Sequence, residues 1–131
     1  MQPENLLLDR QLNIKLCDFG WCAENISSSR NTFCGTYEYM APEMLFGTSY
    51  DYHVDVWALG VLLYELVHGH APFRGESVSE VKQSMLQGTY ELSDGLSEGL
   101  KELITNILKF DPKERMSLKN ILSCDWIKKM Q

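Results

Sequence analysis

Two residues of types that bind a hard divalent cation stand out first: Asn5 and Asp18. Asn5 comes just before the apolar run Leu6-Leu7-Leu8, and Asp18 follows directly on Ile14-Lys15-Leu16-Cys17. The two runs are short and separated by the polar stretch Asp9-Arg10-Gln11-Leu12-Asn13, which predicts a small β-hairpin. Such a hairpin brings the amide oxygen of Asn5 and the carboxylate of Asp18 to one edge. Oxygen donors of that kind suit Mg²⁺.

The elements that must hold this edge in place are mainly helical. Periodicity is lost from Glu24 to Thr36, where Ser27-Ser28-Ser29-Arg30-Asn31 reads as an exposed loop. Pro42 stands where a helix can begin. From His53 to His68 apolar residues fall on nearly every face, which predicts a central buried helix ended by Gly69. Ser77 and Glu80 have the spacing of a capping box, opening a helix to about Gln87. Ser97 or Asp94 starts the next, with Leu100, Leu103, Ile104, Ile107 and Leu108 on one face and Asp111-Pro112 as its break. Ser117 to Leu122 opens a last short helix, held down by Trp126.

Bulk properties narrow the function classes. The 131 residues leave room for one compact unit, with no internal repeat and no linker. Twelve basic residues against eighteen acidic ones give a net charge of −6, which argues against a nucleic-acid or anionic-membrane footprint. Cys17, Cys22, Cys34 and Cys124 show neither CxxC spacing nor a nearby histidine, so reduced thiols are expected rather than a zinc site. No signal peptide is visible, and the longest apolar run, Val56 to Tyr64, is too short to cross a bilayer. A soluble intracellular protein, cytoplasmic or nuclear, is the expectation.

Asp18-Phe19-Gly20 alone is a weak tripeptide. Its order with Pro3-Glu4-Asn5, Ala41-Pro42-Glu43 and Asp55-Val56-Trp57-Ala58-Leu59-Gly60 resembles the protein kinase family, and the match continues to Arg115 and Trp126. The resemblance implies an α+β, mainly α fold: a kinase-like C-terminal lobe made of a small β-hairpin and a helical bundle, spanning 1–131. It implies an ATP-dependent serine/threonine kinase acting on protein substrates. Asp18 would chelate the Mg²⁺ that bridges the ATP phosphates, and Asn5 a second Mg²⁺. Leu7, Cys17 and Asp18 would border the nucleotide, with Leu7 as the floor under adenine continuing into Leu62 and Leu66. Leu7 fits plain hairpin core equally well. Phe19 would pack beneath the site, and Gly20 completes the motif.

The same resemblance makes Asp55 the anchor of the catalytic-loop backbone, though an ordinary helix-start carboxylate fits too. It pairs Glu43 with Arg115, tying the activation segment to the late helices. Phe33 to Tyr39 is similar to the substrate-docking loop of serine/threonine kinases, in which Gly35 lies against the substrate and Thr36 orients the catalytic loop. Thr32, two residues after Arg30, matches an activating phosphothreonine; it also reads as a threonine in a polar loop. Glu4 and Glu65 match positions that grip a substrate arginine, and read equally as solvated carboxylates. Asp18-Phe19-Gly20-Trp21 with Arg30-x-Thr32-x-Cys34-Gly35-Thr36 is similar to the Aurora kinases, from whose usual Pro-Pro-Glu the triplet Ala41-Pro42-Glu43 departs. An activating protein partner belongs to the same expectation.

Other kinase parts have no counterpart in these residues: the Gly-rich loop, the strand lysine with its helix glutamate, and the catalytic aspartate, which would fall one position before Met1. Gln2 stands where serine/threonine kinases place a lysine, and brings no charge to the transferring phosphate. The 131 residues are therefore expected to be inactive alone. A non-catalytic kinase-like module that docks partners is the alternative, against which the apolar Leu6, Leu7, Leu8, Phe19 and Trp21 argue, since they ask for a cover.

Overall fold

A computed structural model describes residues 3–17 and 37–130. The chain enters through a 3-10 turn, Pro3–Asn5, into strand β1, Leu6–Leu8, which pairs antiparallel with β2, Ile14–Leu16. The register sets Leu6 opposite Leu16, Leu7 opposite Lys15 and Leu8 opposite Ile14. Side chains alternate across a strand, so Leu6, Leu8, Ile14 and Leu16 share one face and Leu7 and Lys15 the other. Asp9 builds the connection. Its carboxylate accepts from the amides of Gln11 and Asn13, both at 2.9 Å, and from the Asn13 side chain at 3.0 Å. Those bonds, the Asn13 side chain first, hold the carboxyl below its usual range. Leu12 takes the left-handed conformation, φ 65°, that closes the turn.

A second 3-10 turn, Tyr37–Tyr39, leads into α1, Pro42–Leu45, where Pro42 occupies the first turn and gives up no needed amide. The long helix α2 runs His53–His68. Asp51 accepts from the His53 amide at 3.0 Å at its start, and Gly69, at φ 77°, ends it. Helix α3 is Val78–Gln87, α4 is Glu98–Ile107, α5 is Leu118–Ser123 and α6 is Asp125–Lys128. Ser77 and Ser117 cap α3 and α5 by accepting from the Glu80 and Asn120 amides.

The core forms around α2. Trp57, Val61, Leu62 and Tyr64 pack with Tyr39, Phe73, Val81, Met85, Leu100 and Ile104. On its other side Val56 meets Leu103, Ile107 and Ile121. Full burial of each such side chain contributes about 1.5–3 kcal/mol. Gly60 lets α2 and α4 approach: a β-carbon there would press into the Ile107 side chain and lie 2.9 Å from Leu108. Both neighbours are buried, so they have little room to yield. Gly60→Ala is expected to lose about 1–3 kcal/mol to overpacking, part of it offset by better helix propensity. A thermal midpoint equal to or above that of the parent would contradict this close approach.

Three sequence expectations change. The last turn of α2 is not fully buried: Leu66 is 69% exposed, because neither Leu66 nor Val67 belongs to either core cluster. Helix α4 ends at Ile107, before Asp111-Pro112, as Leu108 leaves helical geometry at ψ 47°. Asp111 instead caps the separate 3-10 turn Pro112–Glu114 through the Lys113 amide at 2.9 Å. Glu80 does not close the box on Ser77; its carboxylate accepts from the Glu76 amide, one residue earlier, at 2.8 Å. Among the described residues, no helix is long and apolar enough to cross a membrane.

Candidate functional site

The hairpin edge is built from its two ends. The Cys17 amide donates to the Asn5 carbonyl at 2.9 Å, and the Cys17 thiol lies 3.5 Å from the same oxygen. Asn5 and Cys17 are therefore neighbours across the hairpin although far apart in the chain. Asp18 follows Cys17 in the sequence. Asp18 itself, with Phe19, Gly20, Thr32, Gly35 and Thr36, lies outside the described residues. The donor set, an amide oxygen and a carboxylate, fits Mg²⁺. No group of three or more His, Cys, Asp and Glu able to hold a metal occurs among the described residues. Leu7 is 53% exposed, on the face that it shares with Lys15.

A second group of residues gathers at the middle of the chain. Tyr39, buried against α2, donates its hydroxyl to the Glu65 carboxylate. Burial first, then that bond and the charges of Glu65, Glu4 and Glu38, push the phenol above its ordinary range, so it stays a donor. Glu4, from the hairpin end, and Glu65, from α2, thus act on the same hydroxyl. Glu38 adjoins them, and burial raises its carboxyl against the opposing pull of the Gly75 amide and Arg74. The sequence reading named Glu4 and Glu65 but missed Tyr39 and Glu38. No local signal marks them, since Tyr39 and Glu65 lie on segments far apart in the chain.

The third arrangement is the ion pair. Arg115 Nη1 and Nη2 each donate to one Glu43 carboxylate oxygen at 2.6 Å, a parallel fork with both side chains almost wholly buried. The remaining guanidinium donors go to carbonyls: Nε to Lys109 at 2.9 Å, Nη1 to His53 at 3.0 Å and Nη2 to Phe110 at 3.2 Å. Its carbon lies 4.9 Å from the Trp57 ring centre. Helix α1, the start of α2 and the turn after α4 thereby meet on one side chain. Asp55, in the first turn of α2, is exposed, and makes no side-chain hydrogen bond within the described residues.

Residues 1–127 match the model of the protein kinase domain. The chain belongs to the protein kinase family. It is 40% identical over 127 residues to an Aurora kinase of Patiria pectinifera, an alignment covering 97% of this chain and 31% of that protein. Aurora kinase B of Drosophila melanogaster is 40% identical over 128 residues, 98% of this chain and 39% of the relative. Serine/threonine-protein kinase gad8 of Schizosaccharomyces pombe is 44% identical over 118 residues, 88% and 21%. This kinase chain thus spans well under half the length of these relatives. Its hairpin and helices are the kinase-like C-lobe architecture that the motifs implied, and the Aurora resemblance read from Trp21 and Cys34-Gly35-Thr36 agrees with these relatives.

Proposed function

We propose that this chain serves an ATP-dependent serine/threonine kinase that works inside the cell on basic protein substrates. The observation that supports the reading is the Asn5–Cys17 junction, since Asp18-Phe19-Gly20 follows Cys17 directly in the sequence. In this reading Asp18 and Asn5 hold Mg²⁺, which would neutralise charge on the ATP phosphates. Leu7 and Cys17 border the nucleotide. Thr36 and Asp55 steady the catalytic loop, Phe19 and Gly20 shape its floor, and Gly35 lies along the substrate. The Glu43–Arg115 fork holds the segment after Thr36 to the helices. Thr32 is the phosphorylated residue that orders this segment, and a protein activator acts on the assembled kinase.

The carboxylates of Glu4 and Glu65, both close enough to act on Tyr39, support a preference for arginine two residues before the acceptor. With MgATP, residues 1–131 alone are expected to give no turnover, since they carry neither a Gly-rich loop nor its lysine. Joined in frame to an upstream lobe carrying both, and the catalytic aspartate, they should phosphorylate Arg-containing peptides. Asp18→Ala should then lower the rate roughly a hundredfold or more. Turnover by the 131 residues alone that Asp18→Ala abolishes would overturn the first expectation. Tight peptide binding without transfer in the joined protein would favour a docking module instead.

A further inference from the structure

The imidazole of His68, at the last turn of α2, stands between two backbone groups that cannot change roles. Nδ1 lies 3.0 Å from the Tyr64 carbonyl, which only accepts. Nε2 lies 3.2 Å from the Ser93 amide, which only donates. Nδ1 must therefore carry the hydrogen and Nε2 the lone pair. This is the neutral imidazole, in the tautomer that free histidine ordinarily populates less.

Ser93 belongs to the loop between α3 and α4. Leu92 and Leu96 of that loop pack against the main core cluster, and polar and aromatic contacts add to this. Tyr90 packs edge-on against Tyr64 and Phe73. The Tyr64 hydroxyl donates to the Glu91 carbonyl at 2.7 Å. The His68 bond to Ser93 is the side-chain hydrogen bond that holds the loop backbone beyond Glu91. Ser93 in turn accepts from the Leu96 amide at 3.1 Å, just before α4 begins.

We propose that His68 is a protonation-controlled latch on the loop between α3 and α4, engaged at Ser93 when the imidazole is neutral and released when Nε2 takes a proton. The proton comes from water, and no heavy-atom bond changes. An Nε2–H facing the Ser93 N–H is a donor against a donor, so the bond is lost. The groups around the ring decide where the imidazolium goes. The Tyr64 ring stacks on it at 3.9 Å, and His70 lies 6.2 Å away from the following turn. Glu91 and Asp94 line the same open cavity, of about 580 Å³, from the loop side. Arg74 contributes a positive charge near Tyr64. With two carboxylates beside it, the new Nε2–H turns from the Ser93 amide to an acidic side chain. The Tyr90 and Glu91 ties and the packing of Leu92 and Leu96 remain, so only the backbone at Ser93 is let go.

The test is amide exchange and imidazole ¹⁵N shifts, measured on the 131-residue chain. At pH 7.5 the ¹⁵N pattern of His68 should be that of a protonated Nδ1 and a bare Nε2. On lowering the pH from 7.5 to 5.5, the Ser93 protection factor should fall about threefold to tenfold. Leu103 in α4 serves as the unchanged reference. In His68→Phe, which keeps a ring over Tyr64, Ser93 should be poorly protected at both pH values. If that variant fails to fold, the two measurements on the parent chain decide alone. An Nε2–H tautomer at pH 7.5, a protection factor insensitive to pH, or the same pH response in His68→Phe would each overturn the latch.

Discussion

Arg115→Ala is expected to destabilise the fold by about 3–5 kcal/mol, the usual cost of breaking a buried ion pair from one side. The loss is one-sided because Glu43, almost wholly buried, would keep its charge with no cation beside it. The carbonyls of His53, Lys109 and Phe110 would lose a donor in the same step. Arg115→Lys should recover little, since an ammonium cannot present a planar fork to both carboxylate oxygens. Glu43→Gln should cost less than Arg115→Ala, because the guanidinium keeps its three carbonyl acceptors. Urea unfolding of the three variants orders them. A loss below about 1 kcal/mol for Arg115→Ala would mean that the pair is hydrated and not structural.

Trp57→Ala should cost a similar amount, about 3–5 kcal/mol, by a different route. Trp57 is 1% exposed, stacks on Phe73 with ring centres 5.5 Å apart, and underlies the Arg115 guanidinium. Its removal opens a cavity beneath the ion pair and takes away the flat surface on which Arg115 rests. Trp57→Phe separates volume from polarity. The indole Nε1 is buried without a hydrogen-bond partner among the described residues, so phenylalanine forfeits bulk but no bond. The phenylalanine variant should therefore lose well under half of what alanine loses. Equal losses in calorimetry would show that the indole nitrogen is bonded after all. Because Trp57 and Arg115 touch, the double variant should lose less than the sum of the two singles.

Local grammar made most of the helical frame legible. Helix α2 has the bounds that its apolar pattern and Gly69 predicted, and α3 starts and stops between Ser77 and Gly88 as its cap and glycine require. The hairpin was equally readable, since Asp9 and Asn13 are residues that close turns on their own backbone. Periodicity failed at Leu66, where it counts apolar residues but cannot know which face has a neighbour. It also failed at the end of α4, because Asp111-Pro112 marks where a helix cannot continue rather than where this one stops. The candidate site was legible only through resemblance. Nothing local in Glu43 or Arg115 says that they meet, and Tyr39 and Glu65 join segments whose contact only the folded chain creates. The carbonyls gathered by Arg115 were invisible for the same reason.

The leucine-rich hairpin has one more consequence, for the company that the protein keeps at high concentration. Leu8, Ile14 and Leu16 stand largely exposed on one face of a sheet that has two strands and two free edges among the described residues. Open apolar edges invite strands from other molecules to add on and grow into aggregates. Here each strand is three residues long, too short to template an extended ladder. Lys15, on the opposite face and 3.9 Å from Asp9, places a charge at the centre of β2, so a second copy of β2 paired centrally along its edge would set lysine against lysine. The hairpin thus carries its own gatekeeper, and neutralising Lys15 would remove it.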